Sequence, residues 1–184
     1  MFGRLAASLC RHAPRTVVSR RMRRITPAAL MGALPGLGSV LYLHDASNET
    51  MPRTLPHGLL VPQRECLPLL EAHWLAAVSV VTDDGPREWC ECVDRFGRTR
   101  ARWHLLPDTD YLAWDALGAS GMMIHHDPVD TKPLRTHRAS VVSFRLLACA
   151  GLQVLEQHAV AALSPLGNRV AARIAHAESV YWDG

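Results

Sequence analysis

The sequence predicts an α+β fold, an antiparallel β-meander sheet flanked by helices, with a helical C-terminal portion. Three observations predict it. Residues 69–81, 88–94 and 99–106 are β-prone runs separated only by tight turns, at Asp83-Asp84-Gly85-Pro86 and between Asp94 and Gly97. A helix with its own start signal precedes them at Thr26-Pro27, and a capped helix follows over residues 107–118. Beyond residue 139 apolar residues recur at helical spacing.

The chain has 184 residues, enough for one domain, with 48% hydrophobic and 20% charged residues. The formal net charge of +3 is unevenly placed. Residues 1–24 hold seven arginines and no Asp or Glu, leaving 13 basic against 17 acidic residues elsewhere. Residues 1–24 are therefore expected to form a basic tail without fixed structure. Three readings of it stay open: an arm touching phosphate, an amphipathic targeting peptide, or sequence upstream of a start at Met22. The acidic remainder argues against a nucleic-acid footprint. No apolar run approaches the roughly 20 residues of a membrane span. Nineteen arginines against the single Lys132 fit a GC-rich bacterial genome.

Thr26 can accept a backbone N–H as N-cap, and Pro27 sits where its missing donor costs nothing. Pro35 and Gly36 stop that helix, and residues 39–43 (SVLYL) read as a short strand. The stretch 45–68 carries four prolines and is expected to be mostly irregular, with a short strand at 59–61. The meander follows. On its third strand Arg100, Arg102 and His104 share one face, while Ala101, Trp103 and Leu105 share the other, which reads as core. Pro107-Asp108-Thr109 caps the next helix, ended by Gly118. Residues 119–138 read as a linker. Residues 139–150, 154–163 and 165–177 read as helices, completing a helical segment over 139–184.

Cys10, Cys66, Cys90, Cys92 and Cys149 are odd in number and irregularly spaced. Cys90 and Cys92 share one strand face and read as small buried apolar residues. The expected compartment is the reducing cytoplasm.

From Ile25 to Leu117 the chain resembles the haemin-degrading and haem-carrier family (the HemS, ChuS, PhuS and ChuX group), as a single divergent repeat. Three segments carry the likeness: AALMGALPGLGSVLYL (28–43), LLEAHWLAAVSV (69–80) and CVDRFGRTRARWHLLPDTDYLAWDAL (92–117). A fainter likeness to the family's inter-repeat helices continues over 144–169. The resemblance implies a helix–antiparallel-sheet repeat and haem as cofactor and partner. It implies a cytoplasmic accessory protein that binds and traffics haem during iron acquisition. A haem-degrading enzyme releasing iron, or a degenerate scaffold of the same fold that binds no haem, stay open as alternatives. Haem-uptake proteins and a homodimer partner are the further partners implied.

The site residues follow from the same resemblance. Arg100 and Arg102 would meet the propionates, because guanidinium pairs with carboxylate bidentately. His73 and His104 join them as cofactor-binding candidates. Candidates for the iron are His125, His126, His137 and, through its thioether, Met51. Each has a plainer reading: solvated loop histidines at 125, 126 and 137, packing for Met51, a structural histidine at 73 and a solvated charged face at 100–104. Where the family carries an iron-ligating His before its inter-repeat helices, this chain has Val141-Val142-Ser143-Phe144. A porphyrin-sized hollow is expected between the meander and the C-terminal helices.

Overall fold

The computed structural model describes residues 16–45, 56–83, 85–123, 132–136 and 138–182. The chain begins with β1 (Thr16–Arg24), α1 (Pro27–Ala33), a 3-10 turn (Leu34–Leu37), β2 (Val40–His44) and β3 (Leu59–Leu60). A longer 3-10 segment (Arg64–Glu71) leads into β4 (Trp74–Thr82), β5 (Gly85–Val93), β6 (Thr99–His104) and α2 (Tyr111–Ala119). Then come β7 (Met122–Met123), β8 (Arg138–Cys149), β9 (Leu152–Ala159), α3 (Pro165–Ala177) and β10 (Tyr181–Trp182). The fold is α+β. Its strands form one ten-stranded sheet in the order β3-β9-β8-β2-β6-β5-β4-β1-β7, with β10 beside β8. Pairing is antiparallel except at the two-residue strands β3 and β10.

Each sheet face has its own cover. On one face α1, the 3-10 segments and α2 bring Leu30, Met31, Leu34, Leu37, Leu69, Trp114 and Leu117 against Tyr42, Leu75, Trp103 and Phe144. Each such side chain contributes roughly 1.5–3 kcal/mol when fully buried. The Tyr42 hydroxyl donates to the Glu65 carbonyl at 2.7 Å, satisfying its polar end inside that core. On the other face α3 lays Ala171, Ile174 and Ala175 on Leu41, Leu43 and Ala139. Small residues on the helix let it approach closely.

Of the helix caps, that of α1 falls where the sequence implies, that of α2 moves, and that of α3 is a residue the sequence reading did not mark. Thr26 Oγ1 accepts from Ala29 N at 3.2 Å, and Ser164 Oγ accepts from Gly167 N at 3.0 Å. For α2 the N-cap is Asp110, whose Oδ1 accepts from Ala113 N at 2.9 Å, rather than the expected residues 107–109. Asp108 instead reaches the start of α3, accepting from Ser164 N at 2.8 Å and Ser164 Oγ at 2.9 Å. It clamps two helix entries together across 56 residues of sequence.

Several expectations are corrected. Residues 139–150 and 154–163 are not helices: β8 and β9 form a hairpin across Cys149↔Leu152. Its two turn residues, Ala150 (φ 48°) and Gly151 (φ 81°), both take the left-handed region that a type I′ turn requires. Ala and Leu favour helix locally, but β8 gains a ladder with β2 and buries both faces there, Val142 and Phe144 on one side and Ala139 on the other. The fainter likeness over 144–169 to inter-repeat helices fails at its first half for the same reason. The C-terminal segment is helical only at α3. Residues 16–24 of the expected tail form a strand paired along β4, with Met22 buried. The first strand of the meander starts at Trp74, since Arg64–Glu71 winds as 3-10 helix around Pro68. Residues 1–15 lie outside the described residues.

Candidate functional site

The Arg100, Arg102 and His104 side chains do share a face of β6, as alternation dictates. That face is not solvated. The register places Glu91 beside Arg102 and Trp89 beside His104 on β5. Arg102 Nη2 lies 2.9 Å from Glu91 Oε1 and Nη1 lies 2.8 Å from Glu178 Oε2. Its guanidinium sits 5.2 Å from the Trp89 ring centroid. Glu91 also accepts from Trp89 Nε1 at 2.9 Å and faces Arg20 Nη2 at 3.5 Å. Glu178 is the C-cap residue of α3, so Arg102 ties that helix end to the sheet. Both ends of its fork thus face carboxylates, as the donors of Arg100 do below.

His104 is only 1% exposed and lies 5.6 Å from the Trp89 ring. It is a core histidine, not a surface ligand. The expected hollow between the meander and the C-terminal helices is also absent among the described residues. Leu41, Leu43, Leu106 and Ala139 fill that space against α3.

Arg100 has a different setting. Its Nη1 lies 2.6 Å from Asp45 Oδ2 and its Nε 2.7 Å from Glu71 Oε2. The side chain is 7% exposed, and it lines a cavity of about 280 Å³ with Asp45, Arg98, Thr99, Lys132, Pro133 and Arg135. Backbone hydrogen bonds build this cavity from three distant segments. Asp94 Oδ1 accepts from Phe96 N and Arg98 N at 2.8 and 2.9 Å, closing the turn into β6. Lys132 N donates to Gly97 O at 2.8 Å, and Thr99 N donates to Lys132 O at 3.2 Å, laying the Lys132 segment along the turn. Asp45 N donates to Arg100 O at 2.9 Å at the end of β2. Four cationic side chains thus line a cavity with one carboxylate. Asp45 and Glu71 hold Arg100 in place and offset its charge, so the positive character of the cavity rests mainly on Arg98, Lys132 and Arg135.

His73 stands at the start of β4, at the sheet end that also bears the Asp94 turn. Its ring meets Trp74 edge-on at 4.6 Å, and its backbone N donates to Val93 O at 3.0 Å. Partial burial, then the charges of Arg24 and Arg95, lower its pKa below 6.5, against an opposing pull from Asp94. The imidazole is therefore neutral at pH 7, the form that ligates metal. Met51, His125, His126 and His137 lie outside the described residues. Among the described residues no three His, Cys, Asp or Glu side chains converge as a metal site. Burial pushes the thiols of Cys66 and Cys90 up to about 12, and that of Cys92 up as well. These are apolar core residues in function.

Of the four expected cofactor-binding residues, only Arg100 lines the cavity. Arg98, Lys132, Arg135 and Asp45 join it there without having been marked by the sequence. No short motif links them. Lys132 comes from what reads as a linker, and its place beside Gly97 is set by backbone pairing alone.

No protein-family model matches the chain, and no curated protein sequence does. Solved structures similar to it include the following two. One is described as the haem-degrading enzyme ChuS of Escherichia coli O157:H7, with 14% identity and a TM-score of 0.42 over 64% of this chain and 39% of that one. The other is described as ChuS, an E. coli haem oxygenase, with 17% identity and a TM-score of 0.45 over 66% and 41%. The chain spans about two fifths of the length of those structures.

Proposed function

We propose that this chain is a haem-utilisation accessory protein of the bacterial cytoplasm, which binds haem during iron acquisition and passes it onward. The single observation carrying this reading is the cation-lined cavity at the start of β6. Haem carries two carboxylates, and Arg98, Arg100, Lys132 and Arg135 offer donors of the type that carboxylates prefer. The sequence likeness supports it too: its three segments fall on α1–β2, on β4 and on β5–β6–α2, which pack as one unit around a shared core.

The described residues fit only part of the cofactor. A cavity of about 280 Å³ lies just below the range of ordinary small-molecule sites, so it suits the carboxylate arms and not the macrocycle. We place the propionates there and propose the iron ligand among His73, His125, His126, His137 and Met51. When bound, the iron porphyrin supplies any redox chemistry. The protein's part is to hold the carboxylates and to exclude water from the ring. Haem-uptake proteins are the partners this role requires.

Titration of the purified apo-protein with haemin tests the proposal. A saturable Soret shift near one equivalent is expected, and a featureless, non-saturating titration would overturn it. The degenerate-scaffold reading is favoured by one observation, the Leu-filled space beneath α3, and the featureless titration is its expected outcome. Spectra with ascorbate under air, with catalase present, separate binding from enzymatic ring opening.

A further inference from the structure

The cavity beside β6 draws its cations from three segments. Arg98 comes from the turn after β5, Arg100 from β6 itself, and Lys132 and Arg135 from the stretch laid along that turn. Arg98 and Lys132 are partners in a parallel β-bridge, which sets two like charges on neighbouring backbones. Both are exposed, as is Arg135. Among the described residues Lys132 and Arg135 make no ion pair, whereas Arg100 is the buried wall held by Asp45 and Glu71. Setting those two carboxylates against the four cations leaves a surplus of two positive charges around one cavity.

We propose that this cavity is a binding site for a phosphate dianion, free or as a monoester. A phosphate group carries about −1.5 to −2 charge at pH 7, which matches the surplus, and gathers three strong acceptor oxygens on one centre. A carboxylate brings a single charge in one plane, and one guanidinium fork satisfies it. Donors from three segments exceed that need and suit a tetrahedral group. Lys132 adds a point charge with rotatable N–H donors, which phosphate accepts beside the planar forks of arginine. Like charges paired across neighbouring backbones destabilise the empty site, and a bridging dianion removes that cost. At about 30 Å³ per water, a cavity of about 280 Å³ admits phosphate with part of its hydration shell. The inference shares its cavity with the haem reading but does not depend on haem.

Calorimetric titration of the full chain with inorganic phosphate, and separately with glycerol 3-phosphate, tests the site. Acetate at equal ionic strength is the carboxylate control. Saturable binding of one equivalent is expected, at least tenfold tighter than acetate, and the tighter of the two phosphates identifies the source. Lys132→Glu with Arg135→Glu should weaken it at least tenfold, with far-UV circular dichroism and the melting temperature reporting an intact fold. Heats that do not saturate overturn the inference, as does acetate binding as tightly as phosphate or a double variant that binds like wild type. Phosphate binding without a haemin-induced Soret shift sinks the haem reading alone. A Soret shift without phosphate binding sinks this inference alone.

Discussion

Arg102 and Glu91 face each other across β6 and β5 with Nη2 and Oε1 2.9 Å apart, both largely shielded from water. A face that alternation alone would assign to solvent is thereby an internal ionic layer. Glu178 extends it to the end of α3.

Replacing Arg102 by Met should leave Glu91 buried beside only Trp89 and Arg20. The loss is expected at about 3 kcal/mol, because the carboxylate loses its closest charge partner without regaining water. Urea denaturation measures it. Adding Glu91→Gln should recover part of the loss, and a single-variant cost under about 1 kcal/mol would contradict the layer described here.

At the cavity, Lys132→Glu with Arg135→Glu should weaken haemin binding about tenfold or more while leaving the melting temperature near wild type, since both side chains sit at the surface. Arg100→Ala should lower both affinity and stability, because Asp45 and Glu71 lose their shared partner. His104→Gln should leave haemin affinity unchanged.

His73 gives a pH dependence of definite sign. Its folded-state pKa is lowered, so the unfolded chain binds more protons once pH falls toward and below 6.5. Its contribution to stability is complete above that pH and declines below it. Solvent screening keeps the effect small at this partly exposed site. His73→Gln should flatten the acid side of the stability profile relative to wild type, as read from urea midpoints on either side of pH 6.5.

Gly167 should tolerate no side chain. A Cβ there would run into the Asp108 carboxylate, which already holds Ser164. Gly167→Ala is expected to destabilise by about 1–3 kcal/mol, as overpacking does. Asp108→Ala alone should cost about 1 kcal/mol as a lost cap support, and the two changes together should cost less than their sum.

Thiol labelling should separate Cys149 from the core. Cys149 is exposed, whereas Cys66, Cys90 and Cys92 are buried with their thiols held protonated. Cys149 should react within minutes and the other three only on unfolding. Rapid native labelling of Cys90 would contradict the packing of β5.

Local signals carried α1, β2, the meander turns and α3 into the sequence. Thr26, Pro27, Ser164 and Pro165 act within a turn of themselves, and the Asp94–Gly97 turn is closed by Asp94's own side chain. The β8–β9 hairpin was not legible, because Ala148, Leu146 and Leu147 favour helix in isolation. Strand conformation there depends on Val40–Leu43, about a hundred residues earlier.

By itself, then, the sequence determined the α+β class, the capped helices and which β6 residues share a face. Tertiary structure alone decided what that face meets. Glu178 and Glu91 take Arg102, Trp89 packs on His104, and Lys132 swings in to leave Arg100 beside an open cavity. The reason is physical: alternation fixes a side chain's direction from its nearest neighbours, whereas its partner is fixed by register and packing between segments far apart in the chain.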